Sequence, residues 1–181
     1  IFGLYFASLD IRQDSSVHRP LLDAVAAKTN ALPDDYKSLN EVQKMAALLH
    51  IPGPIDPAVL ENELHRDTLK TIASIKLIQE ANGEDGCHRY IISHTTSALN
   101  VLEVYGMFLL SGWQKDALHI DIVPLFETID DLRHAGEVMR ALYQNEAYRT
   151  HLEQRQKKQT IMLGFSDGTK DGGYLMANWS I

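Results

Sequence analysis

Two acidic residues, about forty positions apart, each follow a short apolar run. Glu127 ends the segment 120–127 (IDIVPLFE), and Asp167 closely follows the segment 160–165 (TIMLGF). A helix start is predicted after each of them. In parallel α/β proteins, catalytic groups gather at the carboxyl ends of the strands, which meet at one edge of the sheet. Two carboxylates at that edge would suit a hard divalent cation such as Mg²⁺.

Helix capping is the competing interpretation of both acids. Glu127 could cap the next helix, as could Asp130 or Asp131, and on spacing alone ligand and cap are equally open. Asp167 lies in a glycine-rich turn (SDGTKDGG, 166–173) that lacks the order of residues of a phosphate-binding P-loop. Lys170 in the same turn could neutralise phosphate or enolate charge.

Arg12 and His94 each follow a predicted strand. An arginine at a strand end can bind phosphate or carboxylate through two hydrogen bonds. A salt bridge from Arg12 to Asp10 or Asp14 is the alternative, and the residues alone favour it. His94 by itself indicates no particular role.

Composition and charge narrow the class of protein. The 181 residues are 45% hydrophobic and 23% charged, with a net charge of -7, which argues against nucleic-acid binding. The single cysteine, Cys87, allows no internal disulfide and fits a cytoplasmic protein. No apolar run approaches the roughly 20 residues that span a bilayer, so we expect no membrane association.

Hydrophobic periodicity predicts strands alternating with helices. The strands are expected at 3–11, 89–93, 120–126 and 161–165, and the helices at 17–30, 38–50, 57–81, 96–110, 130–142, 145–158 and from about 171. This alternation is typical of an α/β fold with a parallel sheet. Because the chain starts in a predicted strand and ends in a predicted helix without a cap, we expect it to be an excised piece of a longer protein.

Three motifs together resemble the phosphoenolpyruvate carboxylase family. They are DIRQ at 10–13, FETIDDL at 126–132, and GFSD at 164–167 with Lys170 and Asp171, and the segment 97–104 (SALNVLEV) is also similar. The resemblance covers nearly the whole chain. It implies that residues 1–181 form the central part of one domain, a partial (β/α)₈ TIM-type barrel of about four βα units with extra helices, mostly helical by residue count.

The resemblance also implies a function. Family members join bicarbonate to phosphoenolpyruvate, giving oxaloacetate and phosphate, with Mg²⁺ or Mn²⁺, and the parent enzyme is usually a homotetramer. Carried over by motif position, Glu127 and Asp167 would be metal ligands, Arg12 would bind the substrate phosphate, and Lys170 would lie near the site as a catalytic group. The family's histidine motif and Gly/Arg-rich loop lie outside this chain, so activity is expected only in the full-length parent.

Two other functions stay open on the sequence. One is a different Mg²⁺-dependent barrel lyase or aldolase that acts through an enolate. The other is a helical interaction module in which the acids are only helix caps. Since a half-barrel exposes unpaired sheet edges, we also expect the isolated chain to self-associate.

Overall fold

The computed structural model describes residues 7–181 as a mixed α/β fold that is mostly helical. Within this range the strands are β1 (Asp10–Asp14), β2 (Arg89–Ser93), β3 (Asp121–Phe126) and β4 (Met162–Leu163). The helices are α1 (Ser15–Lys28), α2 (Glu41–Leu49), α3 (Glu63–Asn82), α4 (Ala98–Leu110), α5 (Ile129–Gln144), α6 (Glu146–Gln154) and α7 (Phe165–Ser180). Short 3₁₀ turns lie at Tyr36–Ser38, Pro57–Val59 and Glu84–Gly86.

The described strands form one parallel sheet in the order β1-β2-β3-β4. Each strand therefore pairs with the next one along the chain, and a helical connection separates them, as parallel pairing requires. The predicted parallel α/β fold is confirmed at this level. Since all strands run the same way, their carboxyl ends lie at one edge of the sheet, which we call the C-terminal edge.

The two faces of the sheet carry different apolar clusters. Tyr90 and Ile92 face the large core under the helices, whereas Ile91, Val123 and Leu125 form a separate buried cluster on the opposite face. This alternation is the period of two expected of strand side chains. Both faces are apolar, as is usual for parallel sheets.

Helix α4 is the centre of the large core. All of its residues are buried, and it contacts α1, α2, α3, α5 and β3. Its position explains why residues 98–110 are almost uniformly apolar. No helix within residues 7–181 is both long and apolar enough to cross a membrane.

Three elements differ from the predictions in a way that bears on the site or on the course of the chain. The first predicted strand, 3–11, lies partly outside the described residues, and β1 instead runs from Asp10 to Asp14 in register with β2. The predicted helix 57–81 is interrupted, because the side chain of Asn62 accepts a hydrogen bond from the Leu64 amide and starts α3 there. The last helix begins at Phe165, well before 171, and is kinked at Gly173, whose φ is +82°.

Candidate active site

An arginine–carboxylate pair stands at the C-terminal edge of the sheet. Arg12 pairs in register with Ile91, which pairs with Val123, so its side chain belongs to the face opposite the large core. Glu127 follows β3 two residues after Leu125 and continues the same face. The Arg12 Nη2 group donates to Glu127 Oε1 at 2.9 Å.

The partner of Arg12 is not the one that the sequence favoured. Asp10 instead accepts a 2.6 Å hydrogen bond from Arg89 Nε, and Asp14 lies with His94. Arg12 was also expected to follow its strand but sits in the middle of β1. Its side chain is half exposed while that of Glu127 is 11% exposed, so the arginine can still reach a ligand.

His94 connects the ends of β1, β2 and β3. Its backbone N–H donates to Glu127 Oε2 at 3.0 Å, and its Nδ1 lies 2.5 Å from Asp14 Oδ2. The hydrogen bond with Asp14 raises the pKa of His94. His94 has a φ of +52°, a left-handed conformation that is uncommon outside glycine and often found at functional sites. Its position at a strand end was the one sequence signal for this role.

Asp14 is held in place from two sides. It caps α1 by accepting from the Ser16 amide at 2.9 Å, and it also contacts His94. Burial raises the pKa of Asp14, but the hydrogen bonds from Ser16 and His94 outweigh it and hold the pKa well below its usual value. Asp14 is therefore an ionised carboxylate, and in that form it holds the His94 ring in place.

The caps of α5 are supplied by residues other than Glu127. Thr128 is the N-cap and forms a capping box with Asp131, and Asp171 accepts from the Ile129 amide at 2.9 Å. The capping interpretation is therefore wrong for Glu127 and right for Asp131, whereas Asp171 reaches α5 from inside α7 and does not cap its own helix. The Glu127 side chain is directed to Arg12 and His94 instead.

Asp167 and Lys170 lie on the first turns of α7, not in a loop. Lys170 Nζ is 3.6 Å from Asp167 Oδ1, and the Lys170 side chain is largely exposed while that of Asp167 is half exposed. The N-cap of α7 is Gly164, and no side chain accepts a hydrogen bond there, so Asp167 does not act as a cap. Its carboxylate is accessible to a ligand.

Two glycines near Asp167 in sequence, Gly164 and Gly168, pack closely against Glu127. The Gly164 amide donates to the Phe126 carbonyl at 2.8 Å, and a Cβ at Gly164 would lie 2.9 Å from Glu127 Cα. A Cβ at Gly168 would lie 3.5 Å from the Glu127 carbonyl oxygen. Only glycine allows the first of these approaches. The two motifs, distant in sequence, thus meet at the C-terminal edge.

The donor chemistry of this edge fits Mg²⁺ or Mn²⁺. Residues 7–181 contain no group of three His, Cys, Asp or Glu side chains arranged to hold an ion. Mg²⁺, however, commonly binds through one or two carboxylates and completes its shell with water and substrate oxygens. Glu127 and Asp167, on neighbouring segments, are the two carboxylates that could hold such an ion.

Comparison with known proteins identifies the family. A family model described as phosphoenolpyruvate carboxylase matches residues 1–181. The chain belongs to the phosphoenolpyruvate carboxylase family. Proteins named phosphoenolpyruvate carboxylase are 36% identical over 188 residues in Gloeobacter violaceus, 37% over 192 in Parasynechococcus marenigrum and 38% over 197 in Prochlorococcus marinus.

These phosphoenolpyruvate carboxylases cover all of this chain, but the chain spans only about a fifth of their length, 19–20%. The resemblance drawn from the three motifs is therefore confirmed.

Proposed function

We propose that this chain supplies part of the active site of a longer phosphoenolpyruvate carboxylase, which carboxylates phosphoenolpyruvate with bicarbonate and releases oxaloacetate and phosphate. The observation that carries the proposal is the Arg12–Glu127 pair at the C-terminal edge, with Asp167 on the adjoining turn. The arginine suits the phosphate group of the substrate, and the carboxylate beside it suits the divalent ion that the reaction needs.

The residues divide the chemistry between them. Arg12 would bind the phosphoryl group while bicarbonate attacks phosphorus and the enolate of pyruvate leaves. Glu127 and Asp167 would hold Mg²⁺ or Mn²⁺, which when bound supplies positive charge to stabilise the enolate. Arg12 Nη2 now donates to Glu127 Oε1, so an arginine that turned to the substrate phosphate would leave this oxygen available as a ligand.

Lys170 would act from the rim of the site. Its ammonium now lies near Asp167 and is largely exposed, so it can move to a phosphate or carboxylate oxygen without breaking a buried contact. His94 N–H would keep Glu127 Oε2 in place throughout.

We further propose that the four βα units are half of a (β/α)₈ barrel. The strand order 1-2-3-4 supports this, because a doubly wound sheet would reverse its order at a switch point. Helix α7 also exposes Tyr174, Leu175 and Trp179, which further units of a longer, cytoplasmic and homotetrameric protein would cover. The same surface would make the isolated chain self-associate.

The test is oxaloacetate formation by the full-length protein that carries this chain. The assay supplies phosphoenolpyruvate, bicarbonate and Mg²⁺ and follows NADH loss through malate dehydrogenase. We expect Asp167→Asn and Glu127→Gln each to lower turnover by about 100-fold while the protein stays folded. Asp130→Asn, an exposed acid on the first turn of α5, is the matched control and should retain activity.

Two outcomes of these assays would contradict parts of the proposal. Near-normal turnover of Asp167→Asn would remove Asp167 from the site. A folded protein that turns over without bicarbonate would instead be a lyase or aldolase acting through an enolate.

A further inference from the structure

Helix α4 buries a carboxylate that the proposed mechanism does not use. The side chain of Glu103 is fully buried, within a helix whose other residues are nearly all apolar. Its Oε1 makes no hydrogen bond within residues 7–181, and its ion-pair partner there is Arg19, whose Nε lies 3.6 Å away. Removing a carboxylate from water is costly, so its presence here calls for a compensating role.

The hydrogen bond that Glu103 does make orients a neighbouring amide. Its Oε2 accepts from Asn100 Nδ2 at 3.2 Å. Asn100 Oδ1 in turn accepts from the backbone amides of Thr96 and Ser97 at 3.1 and 3.2 Å, and from Thr96 Oγ1 at 3.3 Å. Glu103 thus favours the orientation in which the Asn100 oxygen faces the loop, because a flipped Asn100 would turn its NH₂ group toward two backbone amides and its oxygen toward the Glu103 carboxylate.

The loop that Asn100 holds also holds the candidate site. Residues 94–97 connect β2 to α4 and begin with His94, whose N–H donates to Glu127 Oε2. The Thr95 amide reaches the Leu125 carbonyl of β3 at 3.4 Å. A continuous path of hydrogen bonds and one short loop therefore joins the buried Glu103 to Glu127.

We propose that Glu103 is a positioning residue for the active site: through Asn100 it fixes the loop 94–97, and through the His94 amide it fixes the Glu127 carboxylate. The inference rests on the proposed function only for its effect on turnover. The order of the loop is a property of the fold and can be measured separately.

The variants Glu103→Leu and Glu103→Gln distinguish the hydrogen bond to Asn100 from the mere filling of space in the core. Glutamine keeps an oxygen for Asn100 Nδ2, whereas leucine leaves that donor unpaired. We expect Glu103→Leu to lower kcat by about tenfold, with the KM for phosphoenolpyruvate changed by less than about twofold because Arg12 lies outside the loop. Glu103→Gln should restore kcat to within about twofold.

Amide hydrogen exchange gives a readout independent of catalysis. Exchange at residues 94–97 of the full-length protein should rise by about tenfold in Glu103→Leu and stay at the wild-type rate in Glu103→Gln. Thr68→Val is the matched control, because it removes a part-buried hydrogen bond to the Leu64 carbonyl in α3, away from the loop 94–97. It should change neither kcat nor exchange at 94–97.

If Glu103→Leu does not fold, a double variant in which the amide and the carboxylate exchange places tests the same contact. In Asn100→Asp with Glu103→Gln, the aspartate oxygen still accepts from the loop amides and glutamine donates to the other oxygen. The double variant should match wild type in exchange, whereas Asn100→Asp alone should not. Wild-type exchange and kcat in both Glu103→Leu and Asn100→Asp would overturn the positioning role. The expected exchange pattern in a protein without carboxylase turnover would uphold it and overturn the proposed function instead.

Discussion

Replacing Gly164 by alanine should damage the candidate site more than it damages the fold. Gly164 follows β4 and lies against the backbone of Glu127, and its amide donates a hydrogen bond to the carbonyl of Phe126, the residue before Glu127. An added Cβ would sit 2.9 Å from Glu127 Cα and 3.3 Å from Glu127 Cγ. Both atoms belong to the residue that we propose as a metal ligand.

The size of the effect follows from the contact distances. Carbon atoms in proteins approach to about 3.5–4.0 Å, so one of the two segments must shift by roughly 0.6–1 Å. Overpacking of this kind costs about 1–3 kcal/mol of folding free energy. A displacement of about 1 Å at a reacting group costs roughly 100-fold in rate. We therefore expect a large loss of turnover in a protein that still folds.

The assay compares Gly164→Ala with Gly136→Ala in the full-length protein, by coupled oxaloacetate formation and by thermal unfolding. Gly136 lies inside α5 with nothing within 4 Å of its added Cβ, so alanine there should stabilise the helix by about 0.5–1 kcal/mol and leave turnover unchanged. Wild-type kcat and wild-type half-saturation by Mg²⁺ in Gly164→Ala would refute the argument that this contact positions Glu127.

Three further predictions concern stability. Gly172→Ala would place its Cβ 2.5 Å from the stiff, β-branched Ile129, so we expect a loss of about 1–3 kcal/mol, seen as a lower unfolding temperature; an unchanged temperature would show that α7 can move away freely. Arg155→Met removes the largely buried partner of Asp121 and Glu84 and should cost about 3 kcal/mol in a urea titration, whereas a loss below about 1 kcal/mol would contradict it. Burial lowers the pKa of His18 and of His151 to about 4, so the unfolded chain takes up protons first as the pH falls below about 6.5. The contribution of these two histidines to stability should be constant above that pH and fall by about 2 kcal/mol per histidine at pH 5, and an acid titration of the unfolding midpoint of His151→Gln should show the smaller slope.

Local patterns predicted most elements because local forces form them. A short apolar run predicts the strand at 89–93, and a longer one predicts the helix that ends at Leu110. Both segments are almost entirely buried in the structure. The long predicted helix at 57–81 failed where Asn62 offered a cap in mid-pattern, and the start of α7 failed because a two-residue β4 leaves the turn at Gly164 to long-range contacts.

The sequence by itself determined the kinds of groups at the site and their order along the chain. Glu127, Asp167 and Arg12 could be selected because each lies at or near the end of a strand predicted from the local sequence, and the three motifs together indicate the family. The tertiary structure alone decided which of these side chains contact each other. Arg12 reaches Glu127, 115 positions away, because the register of three parallel strands places both on one face. The role of His94 depends on the same register. The sequence shows that His94 follows a strand, but the packing of the strands decides that it bonds to Asp14 and Glu127.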